Sequence, residues 1–307
     1  MIEFRYQKGR LIMSSLLAPR IAVGSLVLVA ASALLLSQTG MSQQGASVPR
    51  PSAKLYNAAK QKLFDGKQIY AYTINTLNPQ LYCDAAKHYD FVWLEMQHST
   101  MIWADLEKMI ATCPGVGVPM IRLPDEYEST IQHATDIGAI GMIEPTVDTV
   151  EKAQAVVRYA KYPPEGRRSM GRNQAQAVWG AFGPYRQTIN DNMLVAVMIE
   201  TPVGVANAYE IARVPGVDVV IAANTDLGNF SGYSHDSPEY ADMFKKIHDA
   251  TVKAGKFFGC TSYDFAKAQP NSADYRFIQG GPSFDGWQPP KQGNGRGAGS
   301  TTTSSSR

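Results

Sequence analysis

Residues 136–171, DIGAIGMIEPTVDTVEKAQAVVRYAKYPPEGRRSMG, contain one strand-like segment followed by one helical segment. The strand-like run at 141–146 predicts one strand, because such runs alternating with helical segments are typical of parallel sheets. Over residues 148–162, valine and alanine recur every three to four positions, which predicts an amphipathic helix. Asp148 is the expected N-cap of this helix, with Glu151 completing a capping box. This stretch therefore predicts one strand-helix unit of a parallel α/β fold.

The same alternation of strand-like and helical segments continues along most of the chain. Eight such alternations within roughly 230 residues predict a (β/α)8 TIM barrel, an α/β fold. An open dinucleotide-binding sheet is disfavoured, because no Gly-x-Gly-x-x-Gly motif follows the first strand. The barrel domain is expected to span residues 51–288, with strands at 68–75, 91–96, 118–124, 141–146, 194–201, 217–224, 257–262 and 275–281.

A long segment between residues 163 and 192 interrupts this rhythm. Its first part, PPEGRRSMGRNQAQAVWG, is rich in Gly and Arg and is too long for a simple turn. We expect it to form a functional loop over the mouth of the barrel, where the active sites of this architecture lie.

The composition is that of a globular domain with a nearly neutral charge balance. Of the 307 residues, 44% are hydrophobic and 18% are charged, and 29 basic against 27 acidic side chains give a formal net charge of +2. No nucleic acid partner is therefore expected. The three cysteines are too few and too scattered for a disulfide framework, so Cys83, Cys113 and Cys260 are expected as free thiols.

The first 50 residues have the order of a signal peptide or a membrane anchor. Basic side chains up to Arg20 precede the uncharged stretch IAVGSLVLVAASALLL at 21–36, and a polar segment follows. This order predicts an exported protein, periplasmic or secreted, or one anchored to a membrane through this segment alone and facing away from the cytoplasm. At the other end, residues 289–307 are rich in Gly, Ser and Thr, and we expect a disordered tail there.

Four polar side chains at the carboxyl ends of predicted strands are the candidate site residues, because (β/α)8 enzymes place their chemistry there. They are His98, Arg122, Glu200 and Asp226. The two carboxylates suggest a divalent cation, and a site built from oxygen ligands favours Mg²⁺ or Mn²⁺ over zinc. Structural alternatives exist for each residue: a salt bridge or a helix N-cap for the carboxylates, an ion pair for the arginine and a hydrogen-bonded imidazole for the histidine.

Five segments, in order along the chain, resemble those of the HpcH/HpaI aldolase family, class II aldolases related to the β subunit of citrate lyase. They are WLEMQH at 93–98, IRLP at 121–124, the long stretch 136–171, MIET at 198–201 and NTDLGNFSG at 224–232. This resemblance extends from Lys60 to Gly281. It implies a (β/α)8 barrel and reversible aldol cleavage of a 2-oxo-4-hydroxy acid to an aldehyde and pyruvate or a similar 2-oxo acid.

The resemblance also implies a role for each of the four strand-end residues. Glu200 and Asp226 would hold the divalent cation, Mg²⁺ or Mn²⁺, which polarises the 2-oxo group as a Lewis acid. Arg122 would bind the same 2-oxo oxygen and stabilise its developing charge. His98 would remove the proton of the 4-hydroxyl group.

Two further assignments come from the same resemblance. The backbone around Asn224 and Thr225 is similar to the region that binds the substrate carboxylate. Asp136 matches the catalytic Asp that partners the family's histidine, yet its place near a helix end puts it on the barrel face opposite to His98. Their pairing would need a subunit interface, and the sequence offers no C-terminal helix of the kind that family members exchange, so homo-oligomerisation is left open.

Gln97 replaces a usual acidic residue and should weaken the hydrogen bonds of metal-bound water.

Two other functions stay open at this point. One is cleavage of a CoA thioester by a lyase of the same superfamily, which the export signal disfavours because CoA is an intracellular cofactor. The other is an exported barrel without turnover that binds a 2-oxo acid or a carbohydrate. The joint presence of all four strand-end residues argues against that second alternative.

Overall fold

The computed structural model describes residues 55–171 and 173–290. Eight parallel strands form a closed barrel, in which each strand pairs with the next and the last pairs with the first. The predicted (β/α)8 architecture is confirmed, and every strand lies within its predicted range. The strands are β1 (Ile69–Ile74), β2 (Phe91–Glu95), β3 (Pro119–Arg122), β4 (Gly141–Glu144), β5 (Leu194–Ile199), β6 (Val219–Ala222), β7 (Phe257–Cys260) and β8 (Tyr275–Ile278).

Helices connect the strands on the outside of the barrel. No helix in residues 55–171 and 173–290 is long and apolar enough to cross a membrane, and the leader predicted at 1–50 lies outside the described residues. The helices are α1 (Ala58–Phe64), α2 (Pro79–His88), α3 (Trp103–Thr112), α4 (Glu128–Asp136), α5 (Val150–Ala160), α6 (Gln174–Trp179), α7 (Tyr185–Asn192), α8 (Pro202–Ala206), α9 (Ala208–Ala212), α10 (Asn224–Ser231), α11 (Pro238–Lys253) and α12 (Tyr263–Ala268), with short 3-10 helices at Gly180–Phe182 and Ser272–Asp274.

The predicted start of α5 was wrong by one residue. Thr149, not Asp148, is the N-cap, and its side chain accepts a hydrogen bond from the backbone amide of Lys152. The Asp148 carboxylate instead accepts a hydrogen bond from Thr201 Oγ1, at 2.5 Å. Asp148 therefore joins the loop after β4 to the loop after β5, a tertiary contact that helix-capping rules do not describe.

The segment at 163–192 does not form the loop that we expected over the barrel mouth. It contains α6 and α7 and connects the end of α5 to the start of β5. Connections from a helix to the next strand lie at the amino-terminal ends of the strands, which is the face opposite to the active site in this architecture. Length and Gly/Arg content predicted an irregular segment but not the end of the barrel on which it lies.

The amino-terminal end of the barrel is closed by α1. The α1 N-cap Asn57 donates hydrogen bonds to the carbonyls of Ile140 and Asn192, which precede β4 and β5. Lys60 Nζ lies 3.0 Å from Asp218 Oδ2, and both side chains are buried. Burial lowers the pKa of the Lys60 ammonium, while the Asp218 carboxylate opposes that fall. These buried contacts join α1 to the strand starts. Loss of either partner of the ion pair would leave the other charge buried and uncompensated.

Two of the three cysteines are not free thiols. Cys83 in α2 and Cys113 after α3 form a disulfide, with their Cα atoms 5.7 Å apart. The prediction failed because α2 and α3 pack side by side in the helical layer, and 30 residues of separation gave no sign of this proximity. Only Cys260, buried at the end of β7, is a free thiol among the described residues.

The described residues after β8 pack against the end of α2. The backbone amide of Phe284 donates to the carbonyl of His88, and the Trp287 ring stacks on the His88 imidazole with a centroid distance of 5.0 Å. No helix follows β8 up to residue 290. Most of the predicted tail at 289–307 lies outside the described residues.

Candidate active site

Arg122 lies between two buried carboxylates at the carboxyl ends of the strands. It is the last residue of β3 and pairs in register with Glu95 at the end of β2. Its Nη1 is 3.5 Å from Glu95 Oε2, and its Nη2 is 3.5 Å from Glu200 Oε1. The side chain is only 8% exposed, yet Nε and Nη2 have no hydrogen-bond partner among the described residues. A buried guanidinium with unused donors is suited to bind an anionic oxygen.

Glu200 follows β5 directly and is 1% exposed. Its Oε2 accepts two hydrogen bonds from Thr146, one from the backbone amide at 2.7 Å and one from Oγ1 at 2.6 Å. Its Oε1 has no hydrogen-bond partner in the described part of the chain. Burial raises the pKa of the Glu200 carboxyl, and Asp226 adds to the rise, while Thr146 and Arg122 oppose it. The buried Oε1 without a hydrogen-bond partner is an oxygen that a cationic ligand could bind.

Asp226 lies next to Glu200 because β5 and β6 are neighbours in the barrel. Helix α10 begins at Asn224 with Ala223 as its N-cap, so Asp226 is in the first turn and is not the N-cap that we considered. The two carboxylates fit an oxygen-ligated divalent cation, since Glu200 Oε1 is buried without a partner and Asp226 is its anionic neighbour. No group of three or more His, Cys, Asp or Glu side chains within the described ranges could hold a metal ion. Further ligands would come from water or substrate.

Glu95 organises the loop after β2, and our sequence analysis placed it in the WLEMQH segment without assigning it a role. Its carboxylate accepts hydrogen bonds from Trp93 Nε1 and from the backbone amides of Gln97 and His98, at 2.9 to 3.1 Å. The same carboxylate faces Arg122. Glu95 therefore positions both the guanidinium and the loop of His98. The available signal was its acidic position in the WLEMQH segment, whereas its register with Arg122 is seen only when the neighbouring strands are aligned.

His98 and Asp136 lie at opposite ends of the barrel in one chain. His98 is exposed in the loop after β2, and none of the described contacts joins its imidazole to Arg122 or to either carboxylate ligand candidate. Asp136 ends α4, where its Oδ1 accepts hydrogen bonds from Arg168 Nη2 at 3.0 Å and Asn173 Nδ2 at 2.7 Å. A single chain thus does not bring the two together, and their pairing stays a prediction that depends on a second subunit.

The first turn of α10 contains the amides predicted to bind the substrate carboxylate. The Asn224 amide donates to Thr261 Oγ1 at 3.0 Å, so it is already engaged. The Thr225 amide belongs to the group of helix N-terminal donors that have no intrahelical partner. Of these two residues, Thr225 is therefore the one whose amide fits the predicted role.

Comparison with known proteins agrees with this geometry. Residues 74–287 match the HpcH/HpaI aldolase/citrate lyase family. A 2-keto-3-deoxy-L-rhamnonate aldolase of Salmonella gallinarum is 31% identical over 223 residues, covering 71% of this chain and 84% of the relative. The Escherichia coli enzyme of the same name is 32% identical over 213 residues, covering 68% and 80%. A crystal structure of a family protein from Burkholderia cenocepacia superposes with a TM-score of 0.66 at 26% identity, covering 73% of this chain and 92% of that one.

Proposed function

This chain belongs to the HpcH/HpaI aldolase/citrate lyase family, and we propose that it cleaves a 2-oxo-4-hydroxy acid to an aldehyde and pyruvate or a similar 2-oxo acid. It is a class II aldolase, an aldehyde-lyase. One observation supports the assignment of its site: Arg122 has unused donors beside an unpartnered carboxylate oxygen of Glu200, both buried at the carboxyl ends of the strands. A 2-oxo acid would match this arrangement once Glu200 holds a cation, because the anionic substrate could then bind both the cation and Arg122.

The cofactor of this family is a divalent cation, and we infer Mg²⁺ or Mn²⁺ for this chain. Glu200 and Asp226 would hold it, because both offer hard oxygen ligands and no thiolate or imidazole lies in their described contacts. When bound, the cation acts as a Lewis acid on the 2-oxo group. Water and the substrate would complete the coordination shell.

Arg122 stabilises the negative charge that develops on the 2-oxo oxygen when the carbon-carbon bond breaks. Its guanidinium is a planar cation, and its Nε and Nη2 have no hydrogen-bond partner among the described residues and can donate to a substrate. Glu95 and Glu200 hold it in place from two sides. Because the donors are oriented before the substrate arrives, they cost little reorganisation during the reaction.

His98 accepts the proton of the 4-hydroxyl group, and Thr225 binds the substrate carboxylate through its amide. Glu95 fixes the backbone of His98 through the amide hydrogen bond at 3.0 Å, and the imidazole itself is exposed. Asp136 of a second subunit would orient that imidazole, so we also propose a homo-oligomer. The Arg168 and Asn173 contacts already hold one oxygen of Asp136, which leaves the other for such a partner.

A 2-keto-3-deoxy sugar acid is our first choice of substrate, since that is what the named relatives act on. The test is pyruvate release from a panel of 2-oxo-4-hydroxy acids by metal-depleted protein, with and without added Mg²⁺ or Mn²⁺. We expect release only with a cation. Binding of pyruvate without turnover of any panel member would instead favour a non-catalytic barrel.

We also propose that the protein is exported. The disulfide between Cys83 and Cys113 supports this, because disulfides form and persist in oxidising compartments. Fractionation of the native host and N-terminal sequencing would test it. Full-length protein that is soluble in the cytoplasm would reject export, whereas a mature N-terminus after residues 40–46, or recovery with membranes, would support it.

A further inference from the structure

Thr146 has an unusual backbone conformation directly beside the candidate cation site. Its φ is +49°, and no other non-glycine residue in residues 55–171 and 173–290 has a positive φ. A β-branched residue rarely adopts this left-handed conformation, because its side chain crowds the backbone. Such conformations persist only where the surrounding structure enforces them, and they concentrate at functional sites.

The surrounding loops enforce this conformation from both sides. The amide of Val147 donates to the carbonyl of Met198 in β5, at 2.8 Å. Asp148 accepts the hydrogen bond of Thr201 described above. A Cβ atom on Gly204 would lie 3.0 Å from the Val147 carbonyl oxygen, so α8 approaches the loop as closely as a glycine permits. The turn at Thr146 is therefore held by β5 and the loop after it.

The result of this turn is that two donors of one residue meet the same carboxylate oxygen. The Thr146 amide and hydroxyl both donate to Glu200 Oε2, at 2.7 and 2.6 Å. The other oxygen, Oε1, accepts no hydrogen bond among the described residues and lies 3.5 Å from Arg122 Nη2. The two oxygens of Glu200 thus have different surroundings, one occupied by the loop and the other facing the site.

We propose that Thr146 is a positioning residue that presents Glu200 to the divalent cation through Oε1. This inference rests on the proposed function, in which Glu200 is a cation ligand. Fixing the carboxylate before binding removes the need to order it afterwards, and hydrogen bonds to a ligating carboxylate typically contribute about 10- to 100-fold in metal affinity. Because Oε2 is occupied by Thr146, Glu200 would offer only one oxygen to the cation, and other coordination positions of the cation would stay available for the substrate oxygens.

The test is calorimetric titration of the full chain with Mn²⁺. Thr146→Val keeps the backbone amide but removes the hydroxyl, and we expect it to weaken Mn²⁺ binding by about 10- to 100-fold. Thr146→Ser keeps the hydroxyl and should restore affinity to nearly that of the parent. Thr146→Gly tolerates the positive φ and lacks the hydroxyl, so it should fold without strain and still bind weakly. Thr149→Val is the matched control, because its hydroxyl holds the amide of Lys152 in the same loop.

The outcomes separate this inference from the proposed function when Glu200→Gln is titrated in parallel. If Glu200→Gln binds Mn²⁺ as tightly as the parent, Glu200 is not a ligand and the proposed metal site is wrong. If Glu200→Gln weakens binding but both hydroxyl-free Thr146 variants do not, only the positioning role is overturned. Equal weakening by Thr149→Val would also overturn it, since the effect would then come from general destabilisation of the loop.

Discussion

Glu144 should make the stability of this barrel fall as the pH rises from weakly acidic to weakly alkaline. It is the last residue of β4 and is completely buried, with Lys152 Nζ 3.1 Å from its Oε1. Burial raises the pKa of its carboxyl from 4.5 to about 8, with small additions from Glu126 and Asp125, although Lys152 opposes the rise. The folded protein therefore keeps a proton that the unfolded chain releases.

The direction and the magnitude of the pH effect on stability follow from this pKa difference. Between pH 4.5 and about pH 8 the folded state holds more protons at Glu144 than the unfolded state, so the free energy of unfolding decreases with rising pH. At about 1.36 kcal/mol for each pH unit, the rise from 4.5 to about 8 corresponds to a ceiling of about 5 kcal/mol. Glu144→Gln removes the titrating group. The free energy of unfolding of this variant, relative to that of the parent, should therefore increase by up to that amount as the pH rises across the same window.

Urea unfolding of parent and variant at several pH values from 4.5 to 9 measures this difference directly. Glu126→Gln is the matched control, because Glu126 lies 3.6 Å from the same Lys152 but its side chain is 37% exposed. That control should change stability by less than about 1 kcal/mol and without a comparable pH dependence. A difference in free energy of unfolding between parent and Glu144→Gln that stays constant over the whole pH range would refute the reasoning, since Glu144 would then titrate alike in the folded and unfolded states.

Five further substitutions test the site and the disulfide. Glu200→Gln and Asp226→Asn should each abolish metal-dependent turnover with an unchanged circular dichroism spectrum, and unaltered Mn²⁺ affinity in both would show that the carboxylates are structural. Arg122→Ala should slow aldol cleavage and oxaloacetate decarboxylation together, by about 10²- to 10³-fold in kcat, because both reactions develop charge on the same oxygen. His98→Ala should slow cleavage by about 10²- to 10⁴-fold and spare decarboxylation, and equal losses in the two assays would contradict its role as the base. Cys83→Ser should lower the free energy of unfolding by about 3 to 4 kcal/mol for a closed loop of 30 residues, whereas a parent whose unfolding is insensitive to reductant would exclude the disulfide.

The barrel and its strands were predictable because their signals are local. Each strand is a short apolar run between turn residues, and β5 and β6 are buried along their whole length. Eight such runs separated by helices close into a barrel with few alternative topologies. The strand-end positions of Arg122, Glu200 and Asp226 followed from the same rule, because parallel strands place their carboxyl ends together.

The contacts that organise the site were not predictable, because they join residues far apart in the chain. Thr146 meets Glu200 across 54 positions, and no local pattern marks a threonine that will adopt a positive φ. Glu95 acquired a role only when the register placed it beside Arg122. The prediction of a loop at 163–192 and the prediction of a free thiol at Cys83 were wrong for the same reason. Composition and spacing do not say which helices pack together.

The sequence alone therefore determined the architecture, the family resemblance and the four strand-end candidates of the site, since periodicity and motif order are properties of neighbouring residues. The tertiary structure decided how those residues are held. It placed Asp136 against Arg168 at the far end of the barrel, and it aimed one oxygen of Glu200 at Thr146 and the other toward Arg122. Such orientations depend on how the closed barrel brings separate loops within hydrogen-bond distance. This proximity results from the free energies of many non-local contacts, which no single segment encodes.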